Sequence, residues 1–237
     1  NKGYIMKHAL LYSILTLILG CSMSSNNTIN ENNMKLTSDN PFFEKSSLYM
    51  NYPPFDLIKN KHYMPAFLKG MSDHLNEIEL IINISEKPTF DNTIVAMETS
   101  GQLLDRVATV FFALISADTN DEMENIRADI APKLSAHSDK ILLNFKLFKK
   151  VEELYESRNT LNLDSESVLL IEKYYTDFIR SGAQLSGEEK EKLKLINTEI
   201  SVLQTNFSQN VLKEVNASAI TINTRSELDG LSDGAIE

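Results

Sequence analysis

Asp164 to Val211 reads DSESVLLIEKYYTDFIRSGAQLSGEEKEKLKLINTEISVLQTNFSQNV, and the apolar spacing of this stretch decides the fold. Val168, Ile171, Tyr175 and Phe178 recur at three- and four-residue steps, which puts them on one face of a helix. Asp164 stands ahead of them as an N-cap and Gly182 behind them as a stop. Ser186 and Glu189 then form a capping box. It opens a longer helix that carries Leu193, Ile196, Ile200, Leu203, Phe207 and Val211. This stripe is heptad-like but too short for several clean heptads. Antiparallel packing on a neighbouring helix is therefore expected, ahead of an independent coiled coil over 186–215.

Working outward, the same period continues. Phe67, Met71, Leu75, Ile78 and Ile82 predict a first helix, with Pro65 in its opening turn, where a missing N–H costs nothing. Pro88 and Asp91 punctuate. Ile94, Met97, Leu104, Val107, Phe111 and Leu114 form a second stripe. Met123, Ile126, Ile130 and Leu134 predict a third helix, which Pro132 should kink or split. Phe148, Val151, Leu154 and Tyr155 mark a fourth. Asn40 to Asp56 reads as an extended arm containing Pro41, Pro53 and Pro54. Its aromatics Phe42, Phe43, Tyr49, Tyr52 and Phe55 are expected to pin it to the body. Beyond the long helix, Ala219-Ile220-Thr221-Ile222 reads as one short strand. Gly and Pro total only 14 of 237 residues, about half the usual share of roughly 12%. Few breakers and long stripes predict an all-α fold.

The chain carries 23 Lys and Arg against 33 Asp and Glu, a net charge of −10. Phosphate backbones would repel it, so nucleic acid is not an expected partner. A single Cys allows neither an internal disulfide nor a Cys-rich zinc site. His62 and His74 lie twelve residues apart near or on the first helix, roughly 18 Å at the helical rise and too far for one metal ion. His137 stands alone. His137-Ser138-Asp139 has the letters of a hydrolase triad, but helical neighbours point about 100° apart and cannot hydrogen-bond in series. No Gly-rich phosphate loop exists, and the acidic pairs Asp121-Glu122 and Glu188-Glu189 suit helix first turns. Read this way, the residues contain no catalytic and no metal site.

The first forty residues read as an address. Met6-Lys7-His8 is a short basic start, and Ala9 to Leu19 is an apolar run too short to span a bilayer. It ends Leu19-Gly20-Cys21, which resembles the lipobox of bacterial lipoproteins and makes Cys21 the expected site of lipidation. Ser22 to Asn40 is rich in Ser and Asn and reads as a tether. Ser22, rather than Asp, after the Cys resembles a signal for passage to the outer membrane. The expected organisation is a lipoprotein signal over 1–21, a flexible tether over 22–40 and a helical region over 41–237. Ser232 to Glu237 reads as the opening of another helix, so the chain is expected to be a fragment.

A series of strings carries a family resemblance. In order they are Asn40-Pro41-Phe42-Phe43, Pro54-Phe55-Asp56-Leu57-Ile58 and His62-Tyr63-Met64-Pro65-Ala66-Phe67. Pro88-Thr89-Phe90-Asp91-Asn92-Thr93-Ile94-Val95-Ala96-Met97-Glu98 follows, then Ile130-Ala131-Pro132-Lys133-Leu134, Tyr174-Tyr175-Thr176-Asp177-Phe178 and Phe207-Ser208-Gln209-Asn210. Their order and spacing resembles the N-terminal part of bacterial peptidyl-dipeptidases of the thimet oligopeptidase and neurolysin family. The resemblance implies a clam-like helical zinc metallopeptidase with a deep channel, of which these helices form one wall. It implies short peptide substrates, release of C-terminal dipeptides, and a zinc ion held beyond Glu237, so that this stretch alone cleaves nothing. With the lipobox, it implies a monomer anchored in the bacterial cell envelope and facing the periplasm. The competing expectation is a non-enzymatic, lipid-anchored helical module for binding or scaffolding.

Overall fold

The computed structural model describes residues 39–236. The signal segment, Cys21 and nearly all of the tether lie outside the described residues. Eight α-helices follow in order: α1 Asn60–Ile82, α2 Ala96–Glu98, α3 Gln102–Ala117, α4 Asp121–Leu142, α5 Phe145–Ser157, α6 Ser165–Arg180, α7 Gly187–Ala217 and α8 Asp233–Ile236. A π-helical turn, Phe90–Val95, leads into α2. The all-α expectation holds among the described residues. No described helix is long and apolar enough to cross a membrane.

Side chains start four of these helices, and the sequence predicts two of those caps, Asp164 and Ser186. Asn120 accepts from the Met123 N–H at 3.0 Å, and Asn144 accepts from Leu147 at 3.0 Å. Asp164 accepts from Ser167 at 2.7 Å, and Ser186 and Glu189 close their capping box in both directions. Each cap satisfies N–H groups that the first helical turn leaves unpaired.

Two apolar clusters form the interior, and α1 serves both. Its N-terminal half gives Tyr63, Phe67 and Met71 to a cluster with Phe42, Val107, Phe111 and Ile130. Its end gives Ile78, Ile81 and Ile82 to a second cluster with Phe148, Leu154, Ile171 and Phe178. In the first, the Phe111 ring meets Tyr63 at 4.9 Å and Phe67 at 5.3 Å, both edge-on, the geometry that ring quadrupoles favour. Gly70 lets α1 and α3 approach closely: a Cβ there would sit 2.9 Å from the Leu104 backbone.

Several expectations fail for physical reasons. Pro65 lies in the second turn of α1, because His62 Nδ1 accepts from the Lys59 N–H at 3.1 Å and starts the helix earlier. Pro132 does not split α4, which runs unbroken through it. Packing against α1 on one side and α7 on another offsets the lost rung. The second stripe breaks at Gly101, whose φ of +70° ends the turn after α2 and begins α3. Of the arm's aromatics, Phe42 is buried and Phe43 half-buried, whereas Tyr49, Tyr52 and Phe55 are exposed. Arg106 clamps the arm instead, donating to the Phe42 carbonyl at 2.8 Å.

Two corrections concern the C-terminal part. Residues 219–222 are not a strand; Ile220 is 87% exposed, and no described segment pairs with them. An isolated strand leaves its backbone groups unmatched and gains no ladder bonds. The long helix does pack beside α4, but not through its apolar stripe. Ile196, Ile200, Leu203, Phe207 and Val211 are all exposed, and Thr205 is the sole buried residue of α7.

Candidate functional site

The histidines are built into the scaffold. His62 is spent on the start of α1, as described above. His137 does not stand alone: its Nε2 lies 3.0 Å from His74 Nδ1, which joins α4 to α1. One of the two nitrogens donates and the other accepts. Burial holds both rings below the ordinary imidazole range. His137 falls to about 4, with His74 and Lys140 adding to the effect of burial. Glu77 opposes the shift at His74. Glu77 Oε2 also accepts from the Gly101 N–H at 2.6 Å. A Cβ on Gly101 would sit 2.9 Å from the His74 ring, so glycine makes room for the pair.

The triad letters separate as expected. His137 faces α1, while Asp139 Oδ1 accepts from Asn197 Nδ2 of α7 at 2.7 Å and Ser138 is exposed. Among the described residues, no group of three His, Cys, Asp or Glu side chains could hold a metal ion. The residues present therefore do not fit a zinc ion, because the one close histidine pair spends its facing nitrogens on each other. Cys21 lies outside the described residues.

Polar groups tie the seam between α4 and α7 at both ends, with Leu134, Ile200 and Phe207 along it. Lys190 Nζ donates to the Leu143 carbonyl at 3.0 Å at one end, and Gln209 Nε2 donates to the Glu124 carbonyl at 3.0 Å at the other. The helices therefore run antiparallel. Between those ends, Ala131, Ser135 and Ser138 face Ser201, Gln204 and Ser208. These side chains are too small to fill the seam. They leave two adjoining cavities of about 530 and 360 Å³ that share Ala131, Ser201 and Gln204. Sequence reading missed this groove, although the steps from Ala131 to Ser138 follow one helix face.

Both ends of the seam hold an unsatisfied carboxylate oxygen. Asp139 is 8% exposed, and its Oδ2 is buried without a hydrogen-bond partner. Glu124 Oε2 is buried and lacks one too, with Arg127 Nη1 3.7 Å away.

Tyr174 and Tyr175 are half-buried. The Tyr174 hydroxyl donates to Glu98 Oε1 at 2.7 Å, and burial, then Glu98, raises its pKa. Tyr175 stacks on Tyr155 at 3.8 Å, with the Arg158 guanidinium over Tyr155 at 4.0 Å. Both tyrosines tie helices together.

No family model matches the chain. Curated relatives do. The chain is 39% identical over 201 residues to the dipeptidyl carboxypeptidase of Escherichia coli (strain K12). That alignment takes in 85% of the chain and 30% of the relative. The chain belongs to the thimet oligopeptidase family. It is also 24% identical over 197 residues to oligopeptidase A of Salmonella typhimurium, covering 83% of the chain and 28% of the relative. Against the thimet-like oligopeptidase of Dictyostelium discoideum it is 24% identical over 182 residues, 76% of the chain and 26% of the relative. The chain thus spans under a third of the length of the curated relatives it matches.

Proposed function

We propose that the chain is the N-terminal part of a zinc-dependent peptidyl-dipeptidase that releases C-terminal dipeptides from short peptides. The observation that carries this reading is 39% identity across 85% of the chain to a protein named dipeptidyl carboxypeptidase. Zinc is held by residues outside the described part, and the stretch described here is a helical wall that cleaves nothing alone. The enzyme is a monomer, anchored through Cys21 in the bacterial cell envelope and facing the periplasm. The Leu19-Gly20-Cys21 string supports that location.

Two experiments test the reading. The complete gene product is incubated with an N-blocked short peptide, with and without a metal chelator. Dipeptide release that stops with chelator and returns with zinc is expected; release indifferent to chelator rejects the zinc assignment. No release at all would leave a lipid-anchored helical binding module. For location, Cys21→Ser should free the protein from membranes, and unchanged membrane association rejects the anchor.

A further inference from the structure

The arm ahead of α1 presents an apolar loop. Leu48, Tyr49, Met50, Tyr52, Phe55 and Leu57 are all exposed, Tyr49 at 88% and Met50 at 79%. Single exposed apolar residues are ordinary, but six in one short loop mark a contact surface. The loop is held in place by hydrogen bonds. Asn40 donates to the His62 carbonyl at 2.9 Å and fixes the arm to α1. Ser46 Oγ donates to the Tyr52 carbonyl at 2.7 Å, and the Asn51 N–H donates to the Leu48 carbonyl at 2.9 Å. Met50 and Asn51 stand at φ of +52° and +56°. That left-handed region is strained for a side chain such as methionine, and such strain clusters at functional surfaces. Here it holds an apolar tip in solvent.

Chemistry and position both indicate what meets this loop. Tyr49 and Tyr52 each join an apolar ring to a hydroxyl, the combination that settles at a bilayer interface. The chain as a whole carries −10, yet from 44 to 61 the exposed Lys45, Lys59 and Lys61 outnumber Glu44 and Asp56. Lipid phosphates attract such a locally basic stretch. The chain from Cys21 to Asn40 spans at most about 65 Å even fully extended, so an acyl group on Cys21 would keep the loop within that reach of a bilayer. We infer that the loop over 48–57 lies in the headgroup region of a phospholipid bilayer, as a second membrane contact beside the anchor. The inference rests on the cell-envelope reading of Cys21 given above. Alone, so small a contact is too weak to keep the protein on washed membranes; beside an anchor it becomes an intramolecular one and orients the body.

The 237-residue chain contains no Trp, so one introduced indole reports on its own surroundings. The test titrates Tyr49→Trp with vesicles of phosphatidylethanolamine and phosphatidylglycerol. A blue shift of the emission and quenching by brominated lipid are expected. Adding Met50→Ser should move the lipid midpoint about tenfold higher, since a side chain of that size leaves the interface. Leu80→Trp, at the far end of α1 and 72% exposed in the parent, should show neither change. Absence of a shift at position 49 overturns the inference, as does an equal shift at position 80 or a midpoint indifferent to Met50. In the complete gene product, Tyr49→Ser with Met50→Ser should leave the thermal midpoint unchanged. A lower midpoint overturns the inference, because the loop would then pack against another part of the protein. The indole reads the loop whether or not Cys21 is acylated, so the loop can fail while the anchor stands, and the converse also holds.

Discussion

The α1–α3 contact and the α4–α7 contact are both helix pairs, yet they are built on opposite terms. The first is apolar and close. Tyr63, Phe67, Phe111 and Val107 are almost fully buried, and Gly70 brings the two backbones together. The second is polar and open. Thr205 is the only residue of α7 that is buried, and hydrogen bonds from Asn197, Lys190 and Gln209 fix the register. Large apolar residues of α7, Leu195, Leu203 and Val215 among them, remain exposed. Each full-sized side chain buried in the first seam contributes about 1.5–3 kcal/mol. A typical hydrogen bond in the second contributes about 1 kcal/mol net. Stability therefore sits mainly in the first, and the register of α7 on α4 is set by the second.

The sharpest way to break this contrast is Phe111→Ala. It should cost about 3–5 kcal/mol, seen as a lower denaturant midpoint, because the rings around it cannot close on the void. A loss below about 1 kcal/mol would show that the aromatic cluster does not dominate.

Acid should act next, on the joint between the two contacts. His74 and His137 are both held below their free value near 6.5, so the unfolded chain takes up protons first. Their contribution is fully present above pH 6.5 and is lost as pH falls toward 4. Glu77 opposes the shift at His74, and Lys140 adds to the shift at His137. The loss should reach about 2 kcal/mol at pH 4 and shrink in His137→Gln. Equal acid sensitivity in that variant would rule the pair out as the cause.

In the polar seam, Asn197→Ala should cost about 1–2 kcal/mol by leaving Asp139 without its remaining partner. The double change Asn197→Leu with Asp139→Leu should recover most of that loss, as measured by thermal unfolding. No recovery would mean that the carboxylate is not the source of the cost. Phe207→Ser should be smallest, within about 0.5 kcal/mol, since the ring already stands in solvent. A large destabilisation there would show that α7 buries its stripe within this chain.

Much of the fold was legible in the residues. Helix starts at Asn120, Asn144, Asp164 and Ser186 are local chemistry; Asp164 and Ser186 were read from the sequence, and stripes through Ile94 to Phe178 placed the cores. What was not legible depends on partners. Ile220 and Ile222 alternate as in a strand, but alternation cannot supply a second strand to pair with. The stripe from Ile196 to Val211 announces an apolar face without saying whether anything covers it. His137 and His74 are 63 residues apart, and nothing in their neighbours signals that they meet. The strings that carry the family resemblance agree with the curated relatives, whereas the groove beside α4 was invisible because small residues at helical spacing usually mark close packing.

By itself the sequence determined where helices begin, which faces are apolar and which family of peptidases the chain resembles. These follow from interactions within about one helical turn, or from ordered strings along the chain. Only the tertiary structure decided which apolar faces are buried and which polar groups meet. A hydrogen bond between α4 and α1, or an unpartnered carboxylate between α4 and α7, depends on how helices distant in sequence are laid side by side.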